Sequence, residues 1–89
     1  MIERKRPLIQ FYLIIFENNS TAMKAEADLK KRGINIAIMS TPTFITKSCG
    51  ISIVVQADQG EEVKDILSSG EISYKAYYKK VDNEYLQVL

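Results

Sequence analysis

At 89 residues, with a formal net charge of +1 from 12 basic and 11 acidic side chains, the chain has room for one core and no second domain. Acids and bases are interspersed, so no strong field of either sign arises, which argues against a dedicated nucleic-acid binder. A single cysteine and no histidine exclude an internal disulfide, a Cys/His zinc cluster and the Ser-His and Cys-His catalytic pairs.

Residues 1–8 read as an N-terminal extension whose Arg4-Lys5-Arg6 is a solvated chain end rather than a nucleic-acid or membrane contact. From Ile9 to Phe16 the residues are almost all apolar or aromatic, the pattern of a central strand covered on both faces. Asn18, Asn19 and Ser20 offer helix-capping side chains. Thr21 to Arg32 then reads as an amphipathic helix with Ala22, Ala25 and Leu29 on one face, stopped by Gly33. Ile34 to Met39 alternates in the period of a strand. Ser40 to Ser48 is a hydroxyl-rich loop containing Pro42, with Phe44 and Ile45 in its middle. After Cys49 and Gly50, a third strand points Ile51, Ile53 and Val55 inward. Asp58 to Glu61 resembles a capping box opening a second helix of similar length to the first, with Val63, Ile66 and Leu67 on one face and Gly70 as its stop. Ser73 to Lys79 reads as an aromatic-rich strand, and residues 82–89 as a tail or short edge strand.

The order β-α-β-β-α-β predicts an α+β domain over residues 9–81, a ferredoxin-like sandwich with two helices on one face of an antiparallel sheet. The other face should carry Tyr12, Ile14 and Phe16 or their alternates, and such a face often pairs with another chain, so a homodimer or partner contact is expected there. No apolar run approaches a bilayer span and no signal-peptide pattern opens the chain, which predicts a cytoplasmic protein without membrane contact.

Cys49 is the one obvious chemical handle. Ser48 and Gly50 are small neighbours that leave a sulfur accessible, Lys47 lies two residues away, and Gly50 frees the backbone to turn amides inward. Lysine, loop N–H groups or a helix N-terminus would each lower the thiol pKa. The competing reading is a small buried hydrophobe that plugs the start of a strand. Pro42 either stiffens the approach to the cysteine or merely ends the second strand. The hydroxyls of Ser40, Thr41, Thr43, Thr46 and Ser48 either line a small anion pocket or satisfy their own loop, and no glycine-rich phosphate signature accompanies them. Glu26, at the edge of the first helix's apolar face, is either a partnered carboxylate or one more solvated acid.

Phe16, Ser20, Ala22-Met23-Lys24-Ala25-Glu26 with Leu29, Gly33-Ile34, Thr41-Pro42 and Ser48-Cys49-Gly50 together resemble the pattern of the putative selenium/sulfur carrier protein-like family of small bacterial domains. The resemblance runs from Phe11 to Tyr78. It implies that Cys49, supported by Thr41, Pro42, Lys47, Ser48 and Gly50, accepts a sulfane sulfur or selenium atom as a persulfide or perselenide, without turnover, metal or cofactor. It further implies a cysteine desulfurase-like donor and a selenium- or sulfur-using acceptor. The alternative from another class is a ferredoxin-like regulatory or interaction module that dimerises and binds a small ligand in the Ser40 to Gly50 loop, with Cys49 structural. RNA recognition is disfavoured because Ile51 to Gln56 contains no stacking aromatic, and an acylphosphatase-like site because residues 17–20 supply neither arginine nor glycine.

Overall fold

The structure is a computed structural model that describes residues 9–41, 50–81 and 84–89. Along the chain run β1 (Ile9–Ile15), α1 (Asn19–Lys31), β2 (Ile36–Ser40), β3 (Ile51–Gln56), α2 (Gly60–Ser68), β4 (Ala76–Val81) and β5 (Glu84–Gln87). The strands form one sheet in the order β2-β3-β1-β4-β5, every pairing antiparallel. Without the edge strand β5, this is the ferredoxin-like arrangement expected from the element order.

The apolar run of β1 explains its central place, since both faces of that strand are covered and Tyr12 through Phe16 are all buried. Register then sorts its side chains. Tyr12 and Ile14 oppose Val55 and Ile53 on β3 and, with Tyr77 of β4, face Ala22, Ala25 and Leu29 of α1 and Val63 and Leu67 of α2. Leu13 and Ile15 oppose Val54 and Ser52 on one side and Tyr78 and Ala76 on the other, pointing away from the helices. Of the two sets expected on the far face, it is therefore the alternates of Tyr12, Ile14 and Phe16 that stand there. The helices pack on the face where Tyr77 and Ile53 complete the apolar floor, and period-two geometry sends the alternates to the other side.

Helix α1 starts earlier than expected because Asn18 is its cap: in extended backbone at φ −155°, its Oδ1 accepts from the Thr21 N–H at 2.9 Å. Strand β2 starts later, because the Ile34 N–H still donates to the Leu29 carbonyl at the helix exit. Likewise β4 begins at Ala76 rather than Ser73, since Ala76 opposes Ile15, the last residue of β1. Gly33 and Gly70, at φ +81° and +84°, take the left-handed conformation that ends each helix.

The expected capping box before α2 does not form. Ala57–Gln59 make a single 3-10 turn and no side chain caps the helix. The Gln59 side chain instead bridges to the α1–β2 turn, accepting from Asn35 N–H at 2.8 Å and donating to the Gly33 carbonyl at 3.4 Å. Glu61 and Glu62 supply the negative charge that favours a helix N-terminus. The helices also differ in length, 13 residues against 9.

At its start α2 approaches β1 and β4 closely. The rings of Tyr12 and Tyr77 stack with centroids 5.3 Å apart, and the Tyr77 hydroxyl donates to the Gly60 carbonyl at 2.9 Å. Burial, with the charge of Glu61 adding to it, raises both phenol pKa values, so both stay protonated at neutral pH. Among the described residues, no helix is long and apolar enough to cross a membrane.

Candidate functional site

The site suggested by the sequence lies where β2 hands over to β3. Ser40 pairs with Ile51, and one step further the Thr41 N–H donates to the Gly50 carbonyl at 3.0 Å. The two residues that flank positions 42–49 are thus joined by a main-chain hydrogen bond. Beneath that tie the Thr41 and Ser52 hydroxyls lie 2.5 Å apart, with Ser52 fully buried and Thr41 only 8% exposed. A buried hydroxyl pair has to satisfy itself, because no water replaces a missing partner.

Residues Ile15, Ser52 and Ala76 are register partners, so the end of β1, the start of β3 and the start of β4 share one end of the sheet. The N-cap of α1, Asn18, three residues beyond Ile15, follows from that same end. The start of α1, with the partial positive charge of a helix N-terminus, and the residues that flank 42–49 thus belong to the same end of the sheet.

Of the residues singled out in the sequence, the structure brings Thr41 and Gly50 together. Pro42, Lys47, Ser48 and Cys49, with Thr43 to Thr46, lie outside the described residues. Gly50 itself departs from expectation. Its φ is not positive, and a Cβ added there would meet Thr41 Oγ1 at an ordinary 3.9 Å, so its backbone does not require glycine. Glu26 is half-buried on α1 and pairs with Lys30 Nζ at 3.1 Å, an i,i+4 helix pair; among the described residues it makes no bond to Thr41, Gly50 or Ser52.

Sequence reasoning missed Ser52. Standing in Ile-Ser-Ile-Val-Val, it reads as the polar side of an alternating strand, yet on this face its position is buried against Ile15. The available signal was parity: with Ser40 opposite Ile51 and Ser52 opposite Met39, Thr41 and Ser52 become diagonal neighbours on one face of the sheet once β2 and β3 pair.

A comparison with protein families decides the relationship. The profile of the family described as "Putative Se/S carrier protein-like" matches residues 11–79. The chain belongs to this family. The match takes in most of β1 and of β4, all of β2 and β3, both helices and the entire 42–49 stretch, and leaves β5 outside. No curated protein and no solved structure matches the chain. In this member of the Se/S carrier-like family, then, the residues that flank the cysteine-bearing segment, Thr41 and Gly50, are bonded to each other, and Thr41 is bonded to Ser52.

The hydroxyl pair gives a testable asymmetry. Ser52→Ala leaves the Thr41 hydroxyl buried without its partner and is expected to destabilise the fold by ~1–3 kcal/mol, the cost of an unsatisfied buried group. Adding Thr41→Val should recover most of that loss, because both polar groups are then gone. Urea-unfolding midpoints of the two single variants and the double variant check this; equal, additive losses would mean the hydroxyls are not coupled.

Proposed function

We propose that this chain is a carrier rather than an enzyme with turnover, holding a transferable sulfane sulfur or selenium atom on Cys49. The observation that carries this reading is the family match across residues 11–79, which contains the chain's single cysteine. Two features support it. Thr41 and Gly50, which flank the cysteine-bearing segment, are hydrogen-bonded to each other, and α1 begins at the same end of the sheet.

The chemistry is thiol exchange and needs no external oxidant. The Cys49 thiolate attacks the outer sulfur of a donor persulfide, the donor's S–S bond breaks, and the donor thiolate leaves with the electron pair. Cys49 then holds the atom as a persulfide, or as its selenium counterpart. Release reverses the roles: an acceptor nucleophile attacks the outer atom and the Cys49 thiolate departs. A cysteine desulfurase-like enzyme suits the donor role and a selenium- or sulfur-using enzyme the acceptor role. A reducing cytoplasm, which keeps a lone cysteine as thiol between loadings, is the fitting compartment.

Iodoacetamide modification across pH tests the precondition. A carrier thiol should alkylate at least as fast as free cysteine at neutral pH, with an apparent pKa below about 8.5. A thiol that alkylates only on unfolding would make Cys49 structural and favour the ligand-binding module instead.

A further inference from the structure

Away from the cysteine loop, the residues joining α2 to β4 run along one face of α1 and leave a cleft of about 240 Å³ lined by Thr21, Lys24, Ala25, Asp28, Glu71, Ile72 and Ser73. The α1 contributors fall at the spacing that puts residues on one helix face. Ala25 and Ile72, at 2% and 6% exposure, give the cleft an apolar floor. Arg32 links the two carboxylates of the lining: its Nε donates to Asp28 Oδ1 at 3.2 Å and its Nη2 donates to Glu71 Oε1. Lys24, also in the lining, is exposed and makes no ion pair among the described residues.

These charges choose among ligands. A carboxylate has about four lone-pair sites, so Asp28 and Glu71 each keep acceptors free after serving Arg32. A simple anion drawn to Lys24 would also meet two carboxylates, and a diamine drawn to the carboxylates would also meet Lys24. Lys24, Arg32, Asp28 and Glu71 cancel in charge, which suits a guest of zero net charge carrying both signs. The volume is below the ~300–1,000 Å³ typical of drug-sized pockets, so the guest has few heavy atoms. We propose that this cleft binds a small zwitterion, an α-amino acid, with its ammonium toward Asp28 and Glu71 and its carboxylate toward Lys24. The proposal is independent of the carrier reading.

The test is an amide NMR titration of the full chain with each common L-amino acid in turn, and with acetate, methylammonium and inorganic phosphate. At least one amino acid should shift the amides of residues 21–28 and 71–73 saturably, with half-saturation below about 10 mM. Each of these three probes, which carry charge of one sign only, should bind at least tenfold more weakly. Lys24→Met should weaken the amino acid at least tenfold, whereas Lys31→Met, in the last turn of the same helix, should not. The proposal is overturned if no amino acid saturates in that range, if any of the three probes binds as well, or if the two lysine variants behave alike.

Discussion

Gly60→Ala is expected to destabilise the protein by an amount at the upper end of ~1–3 kcal/mol, the cost of overpacking a filled core. Helix propensity argues for the opposite sign, since alanine is favoured over glycine inside a helix by up to about 1 kcal/mol, and by less at a first position such as Gly60. Packing decides. A Cβ at Gly60 would overlap the Tyr12 ring at Cδ1, Cε1 and Cζ, and that ring cannot retreat because Tyr77 stacks behind it and is itself bonded to the Gly60 carbonyl. The variant should therefore force α2 away from the sheet and lower the urea midpoint, with Tyr12→Ala in the same chain relieving the clash. A Gly60→Ala variant as stable as the parent would mean that the start of α2 is not seated as described.

Leu13→Ala is expected to cost ~2–5 kcal/mol, the range for emptying a fully buried leucine site. Leu13 stands on the sheet face away from both helices, yet it has no solvent exposure. Together with Ile15 and Ala76 it is ringed by half-buried Met39, Val54, Tyr78 and Tyr85. Phe11 adds an edge-on contact to Tyr85, and Lys80 lies over the same ring at 5.0 Å. This face is thus a second, smaller core. For a domain with a total stability of about 5–15 kcal/mol, losing this anchor should shift the unfolding midpoint as much as a helix-side truncation such as Leu29→Ala. A loss below about 1 kcal/mol would show that the far face contributes little to folding.

The element order was legible because each segment carries a strong local period: the apolar run of β1, the Ala22-Ala25-Leu29 stripe of α1 and the alternation of β3. The boundaries were less so, for tertiary reasons. Ile34 looks like strand but remains bonded to the exit of α1, and Ser73 to Lys75 look like strand but precede the point where β1 has a residue to pair with. The expected capping box failed because Asp58 falls inside the 3-10 turn Ala57–Gln59, which leaves Gln59 at the cap position, and the Gln59 side chain reaches a turn 24 residues earlier instead. At the candidate site the sequence pointed to Thr41 and Gly50, which do meet, but not to Ser52, whose role exists only once β2 and β3 pair. The charge pattern of the cleft is hidden for the same reason. Lys24 and Asp28 look like ordinary solvated helix residues until the chain at Glu71 is laid against them.

The most direct test of the carrier account is an intact-mass measurement under non-reducing conditions after incubation with a cysteine desulfurase and either cysteine or selenocysteine, run beside Cys49→Ala. The account predicts a gain of one sulfur or one selenium atom, reversed by added thiol and absent in the variant. An unchanged mass in the parent protein, or the same gain in Cys49→Ala, would contradict it.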